Sequence, residues 1–249
     1  GELEIIGIQT RVLTDFEGSA NEISAVTTIR NIKQDKRRAS YDVTHVFNLN
    51  AIYELPFGRG QAFLSNAPGY VSRIIGGWNA STIVRISSVG PVSILSQLQT
   101  FNQRTTNSVT LSPDLSVDQV QQYLGIFRTP YGVMFVDPKA PFMKITLDSA
   151  GKLLTSQVDL TKLQSPTAGK LGTLATGAFR TPLIWNADIA FTKRTQIRES
   201  VNLELRAELF NAFNHPNFSF PSLVTSSTQF GVITFAGSRS IQVSARVNF

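Results

Sequence analysis

The chain has 249 residues, 42% of them hydrophobic and only 16% charged, with a formal net charge of +6, a pI near 9.8 and no cysteine. Disulfides, thiolate chemistry and cysteine-ligated metals are thereby excluded, and no run approaches the roughly 18 uninterrupted apolar residues of a transmembrane helix. A chain so poor in charge, against about 25% in ordinary soluble domains, fits an alternating β-barrel or a soluble β-sandwich, and composition alone does not separate them.

The N-terminal "GELEIIGIQT" lacks the basic start and apolar core of a signal peptide, so a protein destined beyond the cytoplasm would have its beginning elsewhere. Period-two alternation predicts a first strand over about residues 2–13, with Ile6, Ile8 and Val12 on one side. A basic cluster follows: Arg30, Lys33, Lys36, Arg37 and Arg38, interrupted by Asp35. Such a run is ordinarily a solvated loop, and contact with phosphate or anionic headgroups is the alternative. No aromatic residues interleave with it, so nucleic acid is not an expected partner.

The second predicted strand, "YDVTHVFNLNAIYEL", sets Tyr41, Val43, His45, Phe47, Leu49, Ala51, Tyr53 and Leu55 against Asp42, Thr44, Asn48, Asn50 and Glu54. The third, "WNASTIVRISS", opposes Trp78, Ala80, Thr82, Val84 and Ile86 to Asn79, Ser81, Arg85 and Ser87. Within the long connection at 91–181, Ser116 and Gln119 make a capping box for a short helix stopped at Gly125. "MKITLDSAGKLLTSQVDL" predicts a hairpin turning at Ser149, Ala150 and Gly151. The fourth strand, "LIWNADIAFT", precedes a short polar turn over 192–200. The fifth, "VNLELRAELF", faces Val201, Leu203, Leu205, Ala207 and Leu209 away from Asn202, Glu204, Arg206 and Glu208. After a second long connection, 211–237, the sixth strand is "SIQVSARVNF".

Strands of about ten residues match a tilted bilayer crossing, whereas soluble strands average five or six. Aromatic residues near their ends suit the two membrane interfaces. Barrels in outer membranes carry short periplasmic turns and long outer loops, which places 192–200 and the 56–77 connection inside and both long connections outside.

The two histidines, His45 and His215, lie in separate segments, and a turn role suits His215 in "FNHPNF". No phosphate loop, zinc spacing or nucleophile elbow occurs, and no metal, cofactor or enzymatic activity is expected. Arg85, Asp188, Glu204, Arg206, Glu208 and Arg246 fall on the polar sides of their strands. On adjacent strands they form a cross-strand charge ladder facing a wet lumen or a plug.

"HVFNLNAIYELPFGRGQAFL", "LGTLATGAFRTPLIWNADIAFTKR" and "LELRAELFNAFNHPNFSFP" resemble the C-terminal part of Oar-like TonB-dependent receptors. These are outer-membrane barrels also described as carboxypeptidase regulatory-like proteins. The similarity runs in order from about Tyr41 to Phe249. It implies that 1–249 is the C-terminal portion of the barrel of an outer-membrane receptor in a Gram-negative cell. Under that resemblance the plug, TonB box and signal peptide are expected to be absent from these residues, and six strands are too few for even the smallest barrel of about eight. It further implies that Phe249 is an assembly signal. The partners it implies are outer-membrane lipid, the barrel-assembly machinery, TonB through the missing N-terminal part, and an unidentified solute. A cell-surface adhesion or structural barrel, and a soluble β-sandwich binding module, are the alternatives. The expected fold is all-β: an antiparallel transmembrane barrel segment of about six strands with long extracellular loops.

Overall fold

The computed structural model describes residues 1–11, 13–14, 37–39, 41–96, 98, 100, 108–198 and 201–249. Six strands build one antiparallel sheet: β1 (Glu2–Gln9), β2 (His45–Glu54), β3 (Trp78–Ser87), β4 (Ile184–Arg198), β5 (Val201–Phe210) and β6 (Ser240–Asn248). They stand side by side in chain order, so the sheet is a continuous meander with β1 and β6 at its edges. All six predicted strands are present.

Residues paired across an antiparallel ladder project to the same side. Leu49 opposes Val84, which opposes Ala187, while Ile189 opposes both Thr82 and Leu209, and Leu209 opposes Ile241. One face of the wall is therefore apolar from β2 to β6, and the alternate residues make a polar face. Two boundaries differ from expectation. In β1, Ile6 opposes Asn48 and Ile8 opposes Val46, which puts both on the polar side, while Leu3 and Ile5 join the apolar one. β1 also stops at Gln9; Leu13 and Thr14 pair instead with Arg38 and Arg37, and Val12 lies outside the described residues. β4 continues through the expected turn, because Lys193, Arg194, Thr195 and Gln196 each find a partner on β5. Polar residues alone do not end a strand; turn chemistry does. Residues 199 and 200 lie outside the described region, as do Arg30, Lys33, Asp35 and Lys36 of the basic cluster.

The connection between β2 and β3 holds a short helix, α1 (Gly69–Ile75). Lys193 projects from the apolar face of β4 yet is only 6% exposed, because α1 covers it. Its Nζ donates to the carbonyls of Arg73, Ile74 and Gly76 and lies 5.8 Å from the centre of the Trp78 ring. The Trp78 indole N–H also donates to Ile74 O at 3.0 Å. The last carbonyls of a helix lack partners within it and carry partial negative charge; the lysine ammonium supplies both needs.

Nearly all burial lies elsewhere. The described residues of the connections at 88–183 and 211–239 pack into one loop module around Ile94, Val109, Phe135, Phe142, Phe179 and Phe230. Its helix α2 (Val117–Gln122) starts with the expected Ser116–Gln119 capping box. It ends at Tyr123 rather than at Gly125, which already belongs to the strand Leu124–Thr129. The predicted hairpin pairs Met143–Leu147 with Leu153–Val158. The second connection is sewn to the first where the buried Ser156 hydroxyl donates to Phe230 O at 2.6 Å. Gly231 makes that approach possible: its φ is +72°, and a Cβ there would stand 2.7 Å from Val136 Cγ2. Among the described residues of the six wall strands, Ala187 is the only buried apolar side chain. The wall has a module above it and no core of its own against either face.

Candidate functional site

From β3 to β6 the polar face of the wall carries its charges in two groups, while Glu2, Glu4 and Glu54 stand on the β1–β2 part of the same face. Glu204 on β5 is flanked by Arg194 on β4 and Arg246 on β6, and Arg194 Nε donates to Glu204 Oε2 at 2.9 Å. Two residues along β5, Arg206 opposes Thr192 and Ser244; beyond it Glu208 opposes Ala190 and Gln242. Arg206 Nη2 donates to Glu208 Oε1 at 2.5 Å. Four of the six residues singled out in the sequence, Glu204, Arg206, Glu208 and Arg246, thus cluster on the β4–β6 part of this face. Solvent-exposed pairs of this kind contribute only about 0–1 kcal/mol each. What the cluster provides is a wettable surface of interleaved sign.

Arg85 and Asp188 share the face but stand toward the loop end. Arg85 is flanked by Asn48 and Asn186 and has no ion pair among the described residues. Asp188 is engaged elsewhere: its Oδ1 accepts from Asn186 Nδ2 at 2.7 Å and from the Asn211 backbone N–H at 2.8 Å. Arg194 belongs to the charged cluster although the sequence did not single it out. The predicted fourth strand ends at Thr192, and two further residues of alternation reach it.

A second set of residues missed in the sequence shapes the loop end. Asn211, with a positive φ of 51°, follows β5, and its side chain both donates to and accepts from the backbone of His215. Asn217 does the same for Trp185, accepting from its N–H at 3.2 Å and donating to its carbonyl at 2.8 Å. Asn214 accepts from the Arg239 backbone N–H at 3.0 Å. His215 lies just past the turn at 211–213 and stacks on Trp185 with 4.4 Å between ring centroids. His45 opens β2, and its backbone N–H donates to Ser88 Oγ. The histidines are not brought together, and no three His, Cys, Asp or Glu side chains converge for a metal among the described residues. Phe249 follows β6 with its ring 98% exposed. Where the loop module meets the wall, a cavity of about 340 Å³ opens among Ile126, Phe135, Leu183, Pro216 and Phe218.

This arrangement defines a class. A meander of long strands, apolar on one side, charged on the other and coreless against both, is wall for a bilayer, where backbone groups must be satisfied between strands. No helix among the described residues is long and apolar enough to cross a membrane, and a strand wall requires none. The outer membrane beta barrel domain family matches residues 9–242, and the chain belongs to that family. It is an outer-membrane protein. No curated protein and no solved structure matches the chain.

Proposed function

We propose that the chain is a barrel portion of a TonB-dependent outer-membrane receptor of the Oar-like kind, contributing to uptake of a solute not yet identified. The observation that carries this reading is the two-sided wall: Ile189, Leu209 and Ile241 in one row of one face, and the Arg194–Glu204–Arg246 row on the other. In this reading the apolar face meets lipid and the charged face lines the lumen or contacts a plug. Arg85, Asp188, Glu204, Arg206, Glu208 and Arg246 are then lumen residues, and the loop module is extracellular. Phe249 is the residue offered to the barrel-assembly machinery. The wall and loops carry no catalytic role, and energy coupling belongs to a plug and a TonB-contacting segment in the parent protein.

The compact loop module favours a second reading, a surface adhesion or structural barrel. Its core of Phe135, Phe142, Phe179 and Phe230 fixes the shape of the outer surface, as partner binding requires. Comparing growth media depleted by wild-type cells, by cells lacking the parent gene and by cells lacking TonB separates the two. A component taken up only when both genes are present is expected for the receptor. Absence of any such component, together with lost surface attachment in the parent-gene deletion, assigns the adhesive role instead.

A further inference from the structure

We propose that the loop end of β1–β3, on the apolar side of the wall, binds a lipid with a phosphate-type anionic headgroup. The proposal rests on the reading that this side meets lipid. A cavity of about 730 Å³ at that rim is lined by Arg11, Arg38 and Arg180 together with Thr10, Thr44 and Ser88, and no carboxylate is among its described lining residues. A second hollow, of about 390 Å³, shares Gln9, His45 and Leu183 with it and continues along the strands past Gly7, Phe47 and Ile86. Gly7 and Ile86 both oppose Phe47, so this hollow runs down the apolar face. At Gly7 the space where a side chain would stand is open. A cationic pocket above an apolar groove is the arrangement that a charged headgroup and its acyl chain need together.

The guanidinium of Arg38 is fixed directly, and the backbone at Arg180 and beside Arg11 is anchored. Arg38 bonds the buried Asp42 carboxylate at 2.8 Å and Thr44 Oγ1 at 2.6 Å. The backbone N–H and carbonyl of Arg180 are both bonded to the Gln121 side chain. Thr10, beside Arg11, is tied to Val43 and Thr44. Asp42 offsets one charge from behind, while Arg11 and Arg180 have no ion-pair partner among the described residues. They are the two cations left to meet an anion.

The test uses the intact protein purified from outer membranes, with bound lipid read by native mass spectrometry. Dioleoylphosphatidylglycerol should be retained about tenfold over dioleoylphosphatidylcholine, and the double variant R11Q/R180Q should lower that preference at least about fivefold. Equal retention of the two lipids, or a double variant without effect, would overturn the proposal. Displacement of the phosphatidylglycerol by millimolar inorganic phosphate alone would also overturn it, by assigning the pocket to a free anion. The underlying facing is read separately in the same samples. Both tryptophans, Trp78 and Trp185, stand on the apolar face, and phosphatidylcholine brominated on its acyl chains should quench them. Quenching without headgroup preference rejects the lipid site alone. Absence of quenching rejects the facing with it.

Discussion

Ile189 and Ala190 are neighbours in the chain and opposites in surroundings. Ile189 stands between Thr82 and Leu209 on the apolar face, and Ala190 between Ser81 and Glu208 on the charged one. Arginine at a lipid-facing position in mid-wall costs about 2–4 kcal/mol, and far less on the lumen side. Ile189→Arg should therefore destabilise the parent barrel by that amount in denaturant titration, and Ala190→Arg, beside Glu208, should be nearly neutral. Equal losses would reverse or remove the assigned faces. Asn217 is the second residue whose worth is measurable. Its alanine variant strips partners from both the N–H and the carbonyl of Trp185, so a loss of about 1–3 kcal/mol is expected. Asn217→Asp retains an acceptor for the N–H and should lose less in the same thermal unfolding.

Among elements, the hairpins of the loop module depend on carboxylates. Asp159 accepts from the Thr161 hydroxyl at 2.7 Å and backbone N–H at 2.9 Å and pairs with Lys144 at 3.2 Å, which lowers its pKa from 3.8 to about 2. Asp114 moves the same way through Lys162 and Ser112. A carboxyl depressed by folding adds stability that is complete above its unfolded value and lost as pH falls through the folded one. The module should loosen on acidification from about 3.8 toward about 2, read as rising protease sensitivity within 91–181, and Asp159→Asn should flatten that profile. An unchanged acid profile in the variant would remove Asp159 from the account.

The wall elements were legible because alternation is local: each strand from β2 to β6 shows its faces in its own residues. β1 was misread because isoleucines stand on both of its sides, so only pairing with β2 settles which face is which. The loop module was legible in its capped helix and its hairpin. Its shared core was not, since contacts such as Ser156 with Phe230 join residues far apart in the chain. Of the candidate site, the common polar face was readable from spacing. That Asp188 serves Asn211 rather than Arg85 was not, because a backbone N–H leaves no mark in a sequence pattern.

At the scale of the whole molecule, the connections alternate in length. The breaks after Gln9, Ser87 and Phe210 open at one end of the sheet, while α1 and the facing ends of β4 and β5, Arg198 and Val201, lie at the other. Cysteine at Ser149 in this thiol-free chain should react with an impermeant reagent on intact cells, and cysteine at Arg198 should not; the reverse pattern would invert the orientation. Among the described residues the sheet also has two unpaired edges, β1 and β6. An open edge in hydrocarbon leaves each backbone donor and acceptor unsatisfied at several kcal/mol. Residues 1–249 expressed alone should accordingly aggregate or pair edge to edge in detergent. A monodisperse, heat-modifiable monomer would contradict that expectation.

The lysine beneath α1 gives the wall an order of assembly. Lys193 projects from the apolar side, which meets lipid in the proposed reading, and the carbonyls of Arg73, Ile74 and Gly76 sequester its ammonium. In that reading, until α1 has wound and docked, the β3–β4 pair presents a bare cation to the membrane, so the β2–β3 connection would have to mature before that stretch of wall enters. Insertion then acquires a checkpoint that a fully apolar face would lack. Breaking α1 with Ser72→Pro should stall membrane integration in a pulse-chase, and Lys193→Met in the same chain should release it.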